Sequence, residues 1–287
     1  MAAILMDTRS TAAAMRVQVK SAAETLREEA GQQPTLVLVA VGEDASIYDY
    51  IRVVTRTAAQ VGIRAFAHIL PSDIGLEEFG RHIAELNRNP QIHAISLQTP
   101  LPDHLPLDLV SGFLDPAKDV EGFHPANIGQ YVLGQTALVP PPALSGMKLL
   151  SLYSINPEGR HVVIVGRNPV IGKPLANLLT NADATVTLCH SKTHRLTTFT
   201  KAADILIVAV QRPHFFTADM VRAGSVVIDF GINYVKGKVL GDVDTASVQA
   251  VAGAVTPMPS GTGPLTVIHL LQNVVQAASQ QLVASSQ

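Results

Sequence analysis

The stretch "IVGRNPVIGKP", residues 164–174, decides the fold of the second half of the chain. A β-branched run that starts at His161 reaches Gly166, turns through a short polar loop and resumes at Gly172. Glycine after a strand lets the backbone turn tightly and expose N–H groups at a helix N-terminus, where phosphate is favoured. The common G-x-G-x-x-G spacing is absent, because Gly166 and Gly172 frame a longer loop. On spacing alone, a nucleotide loop and a structural turn are equally open.

The next strand, "ATVTLCH" (184–190), ends beside Ser191, where a doubly wound domain reads the ribose of its cofactor. No acidic residue stands there to accept from a ribose hydroxyl. Arg167, His190 and Ser191 offer donors instead, which suits a 2′-phosphate and so NADP rather than NAD. Two plainer readings remain beside this one: Arg167 as an exposed ion-pair residue, and His190 as an ordinary strand-end histidine. "ADILIVAV" (203–210) and "GSVVIDFG" (224–231) supply further buried strands, and "LTVIHLLQNVVQAASQQLV" (265–283) is a helix with an apolar stripe.

Upstream, the same alternation recurs. A helix is predicted from Asp7 to about Ala30, then a strand at "PTLVLVAVG" (34–42) and a helix from about Ser46 to Val61. "RAFAHIL" (64–70), "GLEEFGRHIAELNRN" (75–89) and "IHAISLQ" (92–98) continue as strand, helix and strand. "LVPPPALSG" (138–146), with its three consecutive prolines, reads as a domain junction. The fold class is therefore α/β with two domains, an N-terminal parallel sheet domain and a Rossmann-like NADP-binding domain. The expected division is 1–138 with 266–287 for the first and 139–265 for the second.

Composition narrows the function. The 287 residues are 47% apolar with a net charge of −2, which gives no basic footprint for nucleic acid or anionic membrane. No run approaches the roughly 20 apolar residues needed to span a bilayer, and the start is too weakly apolar for a signal peptide. The single Cys189 excludes an internal disulfide and fits a reducing compartment, so a cytoplasmic enzyme is expected. Cys189 and His190 lack the companions a metal site needs, and no metal is expected.

Nine segments together resemble the methylenetetrahydrofolate dehydrogenase/cyclohydrolase family over almost the whole chain. They are "VGEDAS" (41–46) with Tyr50, "LQTPLP" (97–102), "KDVEGFHPANIG" (118–129), "VGRNPVIGKP" (165–174), "TVTLCHSKT" (185–193), "ADILIVAV", "VVIDFGIN" (226–233), "GDVD" (241–244) and "TPMPSGTGPLT" (256–266). The resemblance implies a folate held in a cleft between two lobes, a homodimer, and NADP-linked oxidation of methylenetetrahydrofolate to the methenyl form. A hydrolytic step to formyltetrahydrofolate follows in that family. By the same resemblance Tyr50 packs on the folate ring, Gln98 assists hydrolysis, and Glu121 replaces an aspartate that bonds the pterin. Gly166, Arg167, Asn168, Ser191 and Ile232 fall on the family's cofactor contacts; Asp119, Pro259 and Gly263 are expected to contact substrate, and His190 the cofactor from its place at the strand end.

The departures are as informative. The family's hydrolytic lysine, four residues after the tyrosine, is Val54 here. Arg52 and Arg56 each lie two residues from it, about 200° around an α-helix. An insertion pairing Tyr48 with Arg52 would still supply no lysine. Pro142, Ala143 and Leu144 replace a Cys-Thr-Pro, Thr99 replaces a leucine, and Gln211 and Ser260 replace glycines. Gln211 either crowds the cofactor or adds a hydrogen bond to it. The expected activity is thus the dehydrogenase, with little or no cyclohydrolase. A bifunctional enzyme with a substitute base and a non-catalytic folate- or nucleotide-binding paralogue are the alternatives.

Overall fold

A computed structural model describes residues 3–285. In chain order the strands are β1 (Ile4–Leu5), β2 (Thr35–Val41), β3 (Arg64–Leu70), β4 (Ala94–Leu97), β5 (His161–Val165), β6 (Thr185–Cys189), β7 (Ile205–Val208), β8 (Val226–Asp229), β9 (Asn233–Val235), β10 (Lys238–Leu240) and β11 (Ala254–Val255). The first helices are α1 (Arg9–Ala30), α2 (Ala45–Gln60) and α3 (Leu76–Arg88). The chain divides into two compact units.

One unit comprises Ala13–Tyr131, Gln135–Pro141 and the described residues from Val267 onward. Its parallel sheet has the order β3-β2-β4, with Leu36 opposite both Ala65 and Ala94. Every residue of β2 is buried, as its run of valine, leucine and alanine requires in the middle of a parallel sheet covered on both faces. β3 is an edge strand and leaves Phe66 and Ile69 exposed. α2 starts where the Asp44 carboxylate accepts from the Ser46 and Ile47 amides at 2.8 and 3.3 Å, which satisfies two otherwise orphaned donors.

The other unit comprises the described residues up to Ala12, with Val132–Gly134 and Pro142–Thr266. Its six parallel strands run β1-β11-β8-β7-β5-β6. After β1, which forms one edge, the chain returns to this sheet at β5, places β6 on one side, and then lays β7, β8 and β11 on the other. The order reverses between β5 and β7, and in open α/β sheets ligands bind outside the carboxyl ends of the strands at such a reversal. Val165 pairs with both Cys189 and Val208, so the loops that begin at Gly166, His190 and Ala209 open side by side. The core beneath them contains Val163, Val165, Leu206, Val208, Val227 and Phe216.

The opening residues differ from the expected division, which put all of 1–138 in the first domain. Ile4 and Leu5 pair with Ala254 and Val255 and extend the second sheet. Two-residue strands carry no readable periodicity, so neither β1 nor β11 was predicted.

Candidate functional site

In the first unit the expected residues meet at the end of β4. Ser96 and Gln98 are two apart on that extended segment and so face the same way. Glu121 approaches from the loop that follows Lys118. The Ser96 hydroxyl donates to Glu121 Oε1 at 2.5 Å and accepts from Gln98 Nε2 at 2.7 Å, all of it buried. Burial pushes the Glu121 carboxyl up to about 7, against the lowering effect of the Ser96 bond, and the neighbouring Asp119 adds to the rise. Half-buried Tyr50 lies close enough for burial and the Glu121 charge to raise its phenol as well.

Asp119, expected to touch substrate, has no exposed surface. Its Oδ2 accepts from the His124 amide at 2.7 Å and from Asn127 Nδ2 at 3.0 Å, which fastens the turn carrying Glu121. Its Oδ1 is buried without a hydrogen-bond partner. Lys118, which the sequence reading passed over, anchors the same loop from below. Its Nζ donates to Asn87 O at 2.6 Å, Asn89 O at 2.9 Å and Leu86 O at 3.4 Å, the carbonyls at the end of α3, where a cation is favoured.

Val54 is 0% exposed, one turn along α2 from Tyr50. Arg52 and Arg56 lie on the outer surface of the helix, and Arg52 bonds Asp49 at 2.5 Å. A pairing of Tyr48 with Arg52 therefore creates no base in the buried group around Glu121.

In the second unit, Gly166 has φ +122°, and a Cβ there would stand 2.3 Å from Ala209 O. A Cβ on Gly172 would stand 1.8 Å from Gly166 O. The loop is wound too tightly for a side chain at either end, which is the form that brings backbone close to a phosphate. Asn168 shapes the loop itself, its Oδ1 accepting from the Ile171 and Val170 amides at 2.7 and 3.2 Å. Arg167 is exposed and pairs with no carboxylate among the described residues. His190 Nδ1 accepts from the Lys192 amide at 3.2 Å, which leaves Nε2 as the donor, and Ser191 and Lys192 are exposed beside it. This row of free donors, next to a glycine-bounded loop, fits an anionic dinucleotide.

Ile232 is 51% exposed just beyond β8, while Pro259 and Gly263 lie in this same unit, on the segment leading into the C-terminal helix Gly263–Ser285. Leu144 is half-buried in the helix Pro141–Leu152. The two residues that stand for glycines keep a glycine's backbone: Gln211 has φ +55° and Ser260 φ +89°. Both are held by carboxylates, Ser260 through its hydroxyl to Asp7 Oδ2 at 3.1 Å and Gln211 through its amide to Asp242 Oδ2 at 3.0 Å. The Gln211 side chain is exposed.

Sequence reasoning missed Ser96, Lys118, Asp229 and Asp242. Ser96 had a signal, a polar residue inside an apolar strand two positions before Gln98. So did Asp229, an acid closing a buried strand.

Comparison with known proteins places this geometry in context. Residues 6–121 match the model of the tetrahydrofolate dehydrogenase/cyclohydrolase catalytic domain, and residues 140–282 that of its NAD(P)-binding domain. The bifunctional protein FolD of Halalkalibacterium halodurans is 42% identical over 280 residues, covering 98% of this chain and all of that one. The crystal structure of the bifunctional FolD enzyme of Campylobacter jejuni superposes with a TM-score of 0.93 at 36% identity, over 98% of this chain and 100% of that one. That of the Trypanosoma brucei methylenetetrahydrofolate dehydrogenase-cyclohydrolase, complexed with NADP and an inhibitor, gives 0.93 at 30% identity, over 98% and 99%.

Proposed function

The chain belongs to the tetrahydrofolate dehydrogenase/cyclohydrolase family, and from that membership we propose that it oxidises methylenetetrahydrofolate to methenyltetrahydrofolate with NADP; from Val54 we propose that it has largely lost the hydrolytic step. NADP, when bound, supplies the hydride acceptor. Loss of hydride from the methylene carbon leaves a cation shared by the two flanking nitrogens, so the step needs alignment rather than proton transfer. Alignment of that kind is worth up to roughly 7–11 kcal/mol. The Gly166–Gly172 loop, Arg167 and Ser191 would hold the dinucleotide, with Arg167 and His190 at its 2′-phosphate. Tyr50 would pack on the folate ring and ionised Glu121 would accept from the pterin's N–H groups.

Hydrolysis asks for more. Water adds to the methenyl carbon and loses one proton, and its other proton must reach a ring nitrogen as the bond from that nitrogen to the carbon breaks, for which a tuned acid/base is worth roughly 10²–10⁴-fold. The observation that carries the proposal is Val54, aliphatic and wholly buried at the place of the lysine. Arg52 and Arg56 lie exposed on the outer surface of α2, away from the buried group around Glu121. Stopped-flow measurement of methenyl decay tests it directly. The expected rate is close to that in buffer, and a much faster rate abolished by Gln98→Ala would overturn the loss of hydrolysis while leaving the dehydrogenase standing.

One observation favours the second reading, a bifunctional enzyme with a substitute base. Glu121, near 7 and joined to Gln98 through Ser96, has the proton affinity such a base needs. The same decay measured on Glu121→Gln separates the two. Exposed edge strand β3, with Phe66 and Ile69, supports a homodimer, to be checked by light scattering. A cytoplasmic location is proposed with it; among the described residues no helix is long and apolar enough to cross a membrane.

A further inference from the structure

Asp242 is wholly buried, and its carboxylate accepts from three successive backbone amides: Val210 at 2.6 Å, Gln211 at 3.0 Å and Arg212 at 2.7 Å. Asn233 Nδ2 adds a fourth donor at 3.0 Å, and no cationic side chain among the described residues pairs with it. Three consecutive N–H groups turned into one concavity form an anion-binding nest, filled here by the protein's own aspartate. The middle residue of that nest is Gln211, at φ +55°, a backbone that a residue with a Cβ adopts only at a cost.

The place matters as much as the bonds. The 210–212 turn follows β7, and Ala209 O closes against Gly166 at the start of the expected cofactor loop. Asn233, bonded to the same carboxylate, follows Ile232 directly. A second aspartate locks the arrangement: Asp229 Oδ1 accepts from the Asp242 and Gly231 amides at 3.2 and 2.7 Å, and its Oδ2 from Val243 at 2.9 Å.

We infer that Asp242 is a positioning residue for the dinucleotide. It holds the Gln211 turn and the Ile232 segment in the geometry the cofactor requires, and so permits glutamine where glycine would otherwise be needed. The inference rests on the NADP-binding reading above. It assigns Asp242 no contact with substrate or cofactor. Asparagine there keeps the shape but turns an N–H against an N–H, so the turn loses its clamp and only a glycine at 211 would keep its fold unaided.

Equilibrium titration with NADP, without folate, reads this apart from turnover. Asp242→Asn should weaken NADP binding at least tenfold with the KM for folate within twofold of the parent. In a Gln211→Gly background the same substitution should cost at least fivefold less. Gln211→Val, which leaves Asp242 in place but resists a left-handed backbone, should weaken NADP binding at least threefold, and it stands in should Asp242→Asn fail to fold. Unchanged NADP binding in Asp242→Asn or in Gln211→Val would overturn the inference, as would a loss of both ligands together that glycine does not relieve. If the parent binds NADP but oxidises no folate, the functional reading fails and these binding results still decide the role of Asp242.

Discussion

The Ser96 hydroxyl donates to Glu121 Oε1 at 2.5 Å, and that single buried bond decides how Gln98 is presented. A hydroxyl that gives its only proton to a carboxylate can accept from its other neighbour but not donate to it. Gln98 must therefore turn its amide nitrogen to Ser96, as found at 2.7 Å, and keep its carbonyl oxygen for a ligand or water. If Glu121 gains a proton the chain can reverse, with Glu121 donating to Ser96 and Ser96 to the Gln98 carbonyl.

The first prediction follows from Glu121 standing near 7 because of its burial. On the proposed role of Glu121 at the pterin the ionised form is the one that binds, so the KM for folate should be flat above that pH. Below it the KM should climb, approaching about tenfold per unit. Stability runs the opposite way: the folded protein holds this proton more tightly than the unfolded chain does. The favourable contribution is full below the ordinary carboxyl value of 4.5 and lost as pH rises through about 7. Glu121→Gln should thus bind folate poorly at every pH and yet melt higher than the parent at pH 8. A Glu121→Gln that melts lower at pH 8 would contradict the sign.

A second variant isolates the hydroxyl. Ser96→Ala removes the bond that opposes the burial of Glu121, so the carboxyl should rise further. The midpoint of the folate KM profile should move to higher pH while the KM for NADP stays put. A profile with an unmoved midpoint would show that Ser96 only fills space.

Val54→Lys tests the missing arm. The position has no exposed surface, so an amine placed there is desolvated and its pKa falls towards neutrality. Such a group exchanges protons at physiological pH, and methenyl decay should accelerate on the order of 10²-fold. The variant should also melt lower, since a buried amine replaces packed methyl groups. Equal decay rates in parent and variant would mean that the absence of lysine is not what limits hydrolysis.

Much of this architecture is legible in the sequence itself. β7 is apolar throughout and β2, β5 and β8 are apolar but for one end residue, as a buried parallel strand requires. The Gly166 turn announced itself because two glycines frame it. Three other features were silent. β1 and β11 are too short for periodicity to show. The left-handed backbone at Gln211 and Ser260 is a property of φ, which residue type biases but does not dictate. The Asp242 clamp binds main-chain amides, which every residue but proline possesses, so no side-chain pattern encodes it. Asp119 shows the converse: it lies inside a recognised motif, yet its burial ties it to the loop.

The last prediction concerns Arg167, the arginine that follows the first glycine of the loop. Its guanidinium is exposed and pairs with no carboxylate among the described residues, so an incoming phosphate would displace only water. A hydrogen bond to a charged group is worth about 1.5–3 kcal/mol, or roughly 10–100-fold in affinity. NAD lacks the 2′-phosphate and would not miss the arginine. Arg167→Ala should therefore weaken NADP binding by roughly that factor and leave NAD nearly unaffected, narrowing the preference between them. Arg167→Lys should recover part of the loss, because a point charge remains while the planar fork is gone. Added salt should erode NADP binding more steeply in the parent than in Arg167→Ala, since an exposed charge pair is screened. If Arg167→Ala weakened both nucleotides alike, the arginine would be serving the pyrophosphate or the loop, and the selection of NADP would have to come from His190 and Ser191.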